Sequence, residues 1–315
     1  MRDRIGRTID YLRLSVTDLC NYRCIYCMGE DGICKKDHRD ILSIEELTEM
    51  GRAAVACGVR KIRLTGGEPL VRRGILELCR RLRALEGLEE LTLTTNGSLL
   101  PQMAAELKDA GVDRLNISLD TLNEERFHTV TRRGELKDVL AGLRAAEEAG
   151  FTGTKLNTVL MGGINDDEIA ALVGLTREKD VSVRFIELMP MGPCAGWPEE
   201  RFISGETVLE KMPELELKRT DGVAEIYQVP GWAGTVGLIR PVSCGFCDRC
   251  SRIRITADGR LKPCLHDGRE IPLRGLWGQE LEAAIRTAVD AKPARHHLAE
   301  ERCSRSGREM NEIGG

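Results

Sequence analysis

Two hydrophobic patterns take turns along the chain. Short runs that alternate apolar and polar residues, such as Tyr11-Leu12-Arg13-Leu14-Ser15-Val16-Thr17, read as strands; stretches with apolar residues three and four apart read as helices. Ser43 with Glu46 three residues on is a capping box. Leu47, Met50, Ala54 and Val55 follow at helical spacing, and Gly58 ends that helix. The pattern then repeats, predicting strands at 61–65, 91–95, 114–119, 154–160 and 182–188 and helices at about 71–85, 101–110, 136–149 and 166–179. Six such alternations build a parallel sheet with helices on its outer face. Six fall short of a closed eight-fold barrel, so the expected fold is α/β, a partial (β/α)6 TIM-like barrel with an open side. From Pro190 the alternation breaks down, and 215–240 reads as short strands. The expected division is a barrel over 1–220 and a C-terminal domain over 221–315.

Composition narrows the function. Apolar residues make up 42% of the 315, and the net charge is −4, which leaves no overall basic footprint for nucleic acid. Residues 1–7 lack the apolar stretch of a signal peptide, and no run is long enough to span a bilayer, so a cytoplasmic location is expected. Twelve cysteines in a reducing compartment point to metal or catalysis rather than to disulfides.

Seven of those cysteines fall into two groups or stand beside them. Cys20, Cys24 and Cys27 form a C-x3-C-x2-C triplet on the loop after the first strand, where α/β folds bind ligands. Three thiolates can wrap one side of an iron–sulfur cluster and leave one iron open; a zinc site with a distant fourth ligand is the alternative. Cys247, Cys250 and Cys264, with Cys244 nearby, could equally make a zinc ribbon. Arg252 and Arg254 alternate beside that group, placing both guanidinium groups on one face. Gly66-Gly67-Glu68-Pro69 after a strand lets a backbone come close to a ligand, or is an ordinary turn. Arg13, Arg63, Lys155 and Arg184 interrupt strands that a parallel sheet would bury on both faces. Pointing inward they would be costly without an anion, which suggests a polyanionic substrate such as a nucleoside triphosphate. Every polar group is expected at the C-terminal ends of the strands.

Together these residues resemble a known family. The Cys20, Cys24 and Cys27 triplet with Tyr26, followed by Gly66-Gly67-Glu68-Pro69, resembles the radical S-adenosylmethionine superfamily. Thr94-Thr95-Asn96-Gly97, Gly163-Ile164-Asn165-Asp166, Arg184-Phe185-Ile186-Glu187, Arg252-Ile253-Arg254, Ala257-Asp258-Gly259 and the terminal Ile313-Gly314-Gly315 are similar to the MoaA family, the GTP 3′,8-cyclases of molybdenum cofactor synthesis. The resemblance implies two [4Fe–4S] clusters, one on Cys20, Cys24 and Cys27, whose open iron chelates S-adenosylmethionine, and one on Cys247, Cys250 and Cys264 that binds guanine. It implies a 5′-deoxyadenosyl radical that abstracts hydrogen from C3′ of GTP, giving (8S)-3′,8-cyclo-7,8-dihydroguanosine 5′-triphosphate. Matching positions imply cofactor contacts at Tyr26, Gly67, Ser118 and Met189, and GTP contacts at Arg13, Arg63, Thr94, Lys155, Arg252 and Arg254. Arg252, Arg254, Gly314 and Gly315 would act in catalysis, with the Gly-Gly end entering the active site. Implied partners are an electron donor of unknown identity and a downstream cyclic pyranopterin monophosphate synthase, with no nucleic acid or membrane, in a monomer or homodimer. Gly29 stands where the family has proline, and Cys244 where a non-cysteine is usual; Cys244 is expected to be a bystander. The rivals are a peptide-modifying radical enzyme with an auxiliary cluster and a non-enzymatic zinc or iron–sulfur module.

Overall fold

Six strands pair side by side in chain order, all parallel: β1 (Tyr11–Ser15), β2 (Lys61–Thr65), β3 (Glu90–Thr95), β4 (Arg114–Ser118), β5 (Thr154–Leu160) and β6 (Val181–Glu187). They come from a computed structural model that describes residues 1–33 and 36–314. Within each strand the apolar residues face the helices and the core: Leu12, Leu14, Ile62, Leu64, Leu91, Leu93, Leu115 and Ile117 are fully buried. The intervening polar residues face the other way, which is why these parallel strands alternate instead of being apolar throughout.

The C-terminal third extends this wall at both edges. After β6 the chain forms β7 (Glu216–Asp221), β8 (Ala224–Gln228) and β9 (Thr235–Ile239), then β10 (Arg252–Ile255), β11 (Arg260–Lys262) and β12 (Ile271–Pro272). β9 lies parallel to β6, and β10 lies parallel to β1 on the opposite edge. The sheet order is therefore β12-β11-β10-β1-β2-β3-β4-β5-β6-β9-β8-β7, twelve strands with open ends, a partial barrel of the expected kind.

The helices are α1 (Ile44–Ala56), α2 (Ile75–Arg83), α3 (Leu100–Asp109), α4 (Glu124–Thr131), α5 (Leu136–Glu148), α6 (Ile169–Gly174), α7 (Glu206–Lys211), α8 (Gly278–Asp290), α9 (Leu298–Glu301) and α10 (Met310–Ile313). The Ser43/Glu46 capping box forms, with Glu46 N donating to Ser43 Oγ at 3.1 Å and Ser43 N to Glu46 Oε2 at 2.7 Å. Two helices are shorter than periodicity predicts. α2 begins at Ile75 because Gly74 sits at φ +80°, and a one-turn 3-10 helix, Pro69–Val71, precedes it. α6 is six residues long: 166–168 form a 3-10 turn, and the Thr176 hydroxyl bonds back to Val173 O just past the end. α4 was not legible as a helix. Its Asn123 cap, which accepts from Arg126 N at 2.9 Å, starts it, and its Phe127 packs edge-on against Tyr22 of the cysteine loop. α8, also unpredicted, buries Leu281, Ile285 and Val289.

Candidate active site

The first cysteine triplet is held from outside its own loop. Arg23 N donates to Thr131 O and Ile25 N to Val130 O, both at 2.9 Å, so the end of α4 fixes the loop that carries Cys20, Cys24 and Cys27. Within the loop Cys27 N donates to Cys24 O at 2.9 Å and Tyr22 N to Cys20 Sγ at 3.3 Å. Tyr26 reaches across to Asp120, its hydroxyl donating to Oδ2 at 2.7 Å. Burial pushes the Cys20 thiol up to about 11 and also raises those of Cys24 and Cys27, with Cys20 adding to both and Cys27 adding to Cys24. Three converging thiols that resist ionising alone are a donor set completed by a cationic iron cluster. Among the described residues no three His, Cys, Asp or Glu gather tightly enough to hold one metal ion. Three thiols on one loop supply the three protein ligands that such a cluster takes when one iron is left open.

Gly66 and Gly67 follow β2 and meet this loop directly. A Cβ on Gly66 would run into Thr17 O, and one on Gly67 into Leu19 O and, at 2.8 Å, Asp18 O. The close approach these glycines permit is to the chain's own backbone, which presses the cysteine loop against the end of β2. Glu68 then accepts from Leu70 N, Thr95 Oγ1 and Asn96 N, at 3.0, 2.8 and 2.7 Å, and ties β2 to the Thr95-Asn96-Gly97 turn. Burial lifts its carboxyl to about 7, against the pull of those donors.

The second triplet lies off the opposite strand ends. Cys247 and Cys250 precede β10, and Cys264 follows β11. Since β10 runs parallel to β1 with Arg252 opposite Tyr11, the two triplets flank a strand that alone spans about 13 Å. Arg7 locks this end, Nη1 donating to Cys247 O at 2.7 Å and Nη2 to Pro293 O at 2.7 Å, while Asp3 holds its Nε at 2.6 Å. Burial would raise the Cys250 thiol, but Arg252 and Lys292 beside it outweigh this and bring it to about 6. Cys244 stands apart: it is exposed and lines a small recess with Glu225 and Arg240.

Between the triplets a row of guanidinium groups crosses three strands in register. Arg13 on β1 is opposite Arg63 on β2 and Arg254 on β10. Arg63 is opposite Thr92, and a second row, Thr94, Asn116 and Lys155, crosses β3, β4 and β5 beginning two residues further along. Burial, then the neighbouring Arg254 and Arg63, hold the Arg13 guanidinium well below its ordinary basicity. Both rows line one cavity of about 690 Å³, together with both triplets, Tyr26, Gly67, Ser118, Met189 and Arg252. Its described wall carries twelve Arg and Lys against seven Asp and Glu, so a chain of net charge −4 encloses a cationic interior.

The polar groups are therefore not all at the C-terminal strand ends, as expected from barrel enzymes. Tyr26, Gly67, Ser118 and Met189 are there, but Lys155 is the second residue of β5 and Arg252 the first of β10. The closed barrel's layers of packed side chains are replaced by a cavity running the length of the strands. Gly314 arrives from the far end of the chain: Arg254 Nη1 donates to its carbonyl at 2.6 Å, and the residue is buried. Gly315 lies outside the described residues, as does Cys34 among the scattered thiols. Of the others, Cys57, Cys79 and Cys194 are buried and Cys303 is exposed.

Several residues of the site had no signal in the sequence. Asp120 positions Tyr26 and accepts from Val159 N at 2.9 Å, with burial lifting its carboxyl to about 6. Asp221, at the end of β7, pairs with Arg184 at 2.9 Å and with Lys155 at 3.4 Å. Arg184 thus has an internal counter-ion that pattern reading could not supply. Asp120 is a cap-like residue after a strand, and Asp221 and Arg7 are charges in polar segments, unremarkable until folded.

Known proteins match the chain along most of its length. Residues 14–176 match the Radical SAM superfamily, and residues 181–298 match Molybdenum Cofactor Synthesis C. A GTP 3′,8-cyclase of Peptoclostridium acidaminophilum is 50% identical over 99% of this chain and 98% of its own length. That of Alkaliphilus oremlandii (strain OhILAs) is 45% identical over the whole of both chains. Streptococcus suis SuiB bound to S-adenosylmethionine, at 14% identity, shares the fold with a TM-score of 0.62 over 98% of this chain and 78% of its own. With its two cysteine triplets facing one cationic cavity, the chain belongs to the radical SAM superfamily and, within it, to the GTP 3′,8-cyclase (MoaA) family.

Proposed function

We propose that this chain converts GTP to (8S)-3′,8-cyclo-7,8-dihydroguanosine 5′-triphosphate, with Cys20, Cys24 and Cys27 holding one [4Fe–4S] cluster and Cys247, Cys250 and Cys264 a second. The carrying observation is the in-register row Arg254, Arg13, Arg63 between the two triplets on the wall of one cavity. When bound, the first cluster with S-adenosylmethionine supplies radical chemistry for an unactivated ribose C–H, which no side chain could deprotonate near pH 7.

The chain's own residues then bind, orient and exclude water. Arg13, Arg63 and Lys155 receive the triphosphate: like charges crowded in a poorly hydrated wall are relieved by a polyanion. Thr94 lies beside that row. Arg252, which stacks its guanidinium 5.2 Å from the Phe246 ring, and Arg254 orient the nucleotide next to the second triplet. Tyr26, Gly67, Ser118 and Met189 line the cofactor side, Tyr26 being fixed by Asp120. The tail closes the cavity over Arg254, with Gly314 and Gly315 positioning that arginine. Cys244, outside the cavity wall, takes no part.

The finer organisation follows from the same reading. Residues 1–220 form the barrel domain, and 221–315 the domain with the second cluster and the Gly-Gly end. Two electrons per turnover come from an external donor, one to cleave S-adenosylmethionine and one, with a proton, to quench the cyclised radical, and the product passes to a cyclic pyranopterin monophosphate synthase. No helix among the described residues is long and apolar enough to cross a membrane. The protein works as a cytoplasmic monomer or homodimer on this reading.

The test is anaerobic reconstitution followed by incubation with dithionite, S-adenosylmethionine and GTP. About eight irons with matching acid-labile sulfide are expected per chain, together with GTP-dependent 5′-deoxyadenosine and a cyclised product isobaric with GTP. Zinc without sulfide, or 5′-deoxyadenosine formation indifferent to GTP, would overturn the reading.

A further inference from the structure

The C-terminal tail does more than reach Arg254. Residues 304–314 run back over the cavity, held first by Arg308, whose guanidinium grips Glu270 at 2.6 Å and Asp258 at 2.9 Å. Lys36 bridges Glu312 and Asp18 at 3.5 and 3.6 Å. Between those two anchored positions, Arg308 and Glu312, lies Asn311, 1% exposed, on the cavity wall. Its Nδ2 donates to Asp18 O at 3.1 Å. A carbonyl only accepts, so this bond fixes which way the amide points.

That orientation leaves Asn311 Oδ1 buried with no hydrogen-bond partner among the described residues. A second orphan stands nearby. Thr65 Oγ1, at the end of β2, is also buried and unpartnered among the described residues, and it borders Gly314. Both residues line the cavity, as do Gly66, Gly67 and the first cysteine triplet. Asn311 also adjoins Cys27: burial pushes that thiol up, and the Asn311 backbone amide is among the groups that draw it back. Native structures seldom leave buried polar atoms unpaired, and two on one wall mark a missing donor. If Asn311 served only to pin the tail, Nδ2 would be explained and Oδ1 would not.

We infer that Asn311 is a cofactor-binding residue, its side-chain oxygen accepting a hydrogen bond from the amino group of the S-adenosylmethionine methionyl moiety, with Thr65 Oγ1 as a second partner. An amine whose lone pair is given to iron keeps two N–H donors, which suits two acceptors next to a glycine turn. The inference rests on the placement of that cofactor at Cys20, Cys24 and Cys27 proposed above. It makes the cofactor site incomplete until the tail is seated. The same tail touches Arg254, so seating, cofactor binding and substrate binding are thermodynamically linked, each favouring the others.

The experiment measures dissociation constants of S-adenosylmethionine and of GTP by equilibrium dialysis on reconstituted, unreduced full-length protein, with iron content as a control. Asn311→Leu keeps the side-chain size and removes the acceptor together with the Nδ2 bond to Asp18 O, while Asn311→Asp loses that bond and keeps an acceptor, so the pair separates the two roles. Loss of one hydrogen bond should weaken S-adenosylmethionine binding about tenfold in Asn311→Leu and not in Asn311→Asp, with iron content and the GTP constant unchanged. Asn311→Leu binding S-adenosylmethionine within twofold of wild type would overturn the inference. A parallel loss of GTP binding would overturn it too, because the substitution would then merely unseat the tail. Should Asn311→Leu fold poorly, Thr65→Val carries the same expectation from the β2 side. Failure of the underlying placement has a different signature: wild-type protein that binds no S-adenosylmethionine, or Cys24→Ala that binds it as well as wild type.

Discussion

Replacing Gly314 by alanine tests whether the tail acts inside the cavity. Gly314 has φ +77°, in the left-handed region, where a Cβ costs about 1–2 kcal/mol. The added Cβ would also lie 3.0 Å from Thr65 Cβ and closer still to Thr65 Oγ1. Thr65 is buried, short and branched, so it cannot swing away. The tail end must therefore lift, giving up the bond from Arg254 to Gly314 O, a charge-assisted contact worth about 1.5–3 kcal/mol. Together the seated state loses about 3 kcal/mol or more, on the order of a hundredfold in population. The barrel should not notice, because Arg308 still anchors the preceding segment to Asp258 and Glu270. The expected outcome is an unchanged melting temperature, loss of amide protection over 310–314 in hydrogen exchange, and, at saturating S-adenosylmethionine, continued 5′-deoxyadenosine formation with cyclised GTP down about a hundredfold. Normal protection together with a normal rate of cyclised product would show that the tail end takes no part.

Three further outcomes follow from the site. Cys24→Ala should keep roughly half the iron, that of the second cluster, and lose S-adenosylmethionine cleavage; iron analysis beside a 5′-deoxyadenosine assay checks both. Cys244→Ser should retain full iron and activity, whereas Cys247→Ser should lose the second cluster and GTP binding together; a drop of about four irons in Cys244→Ser would instead make that thiol a ligand. Burial, with Arg184 and Arg114 beside it, brings the Lys155 amine down to about 7, and Asp221 pulls it back up. Only the protonated amine pairs with phosphate, so wild-type GTP affinity relative to Lys155→Met should fall about tenfold between pH 6 and pH 8. A ratio that stays flat would remove Lys155 from the triphosphate site.

Local pattern determined the six parallel strands, the capping box of α1, both cysteine triplets and the inward polar set. Each depends on interactions within a few residues: strand period, a side chain bonding three amides on, thiols spaced to share one metal cluster. A row such as Leu12-Arg13-Leu14 already states that one face is packed and the other wet. What no local pattern carries is which distant segments become neighbours. Arg13 and Arg254 are 241 positions apart and meet because β10 pairs with β1. Asp221 reaches Arg184 and Lys155 because β9 and β8 extend the sheet beyond β6. Arg7, Asn311 and Gly314 sit in segments whose composition resembles any polar terminus, and they acquire meaning from the carbonyls and orphaned oxygens they meet. Helix ends escape local pattern for the same reason, since Gly74 delays the start of α2 and Thr176 caps the end of α6 where periodicity alone would extend both. Such pairings are settled by the burial of whole faces against one another, a property of the packed chain and not of any short stretch of it.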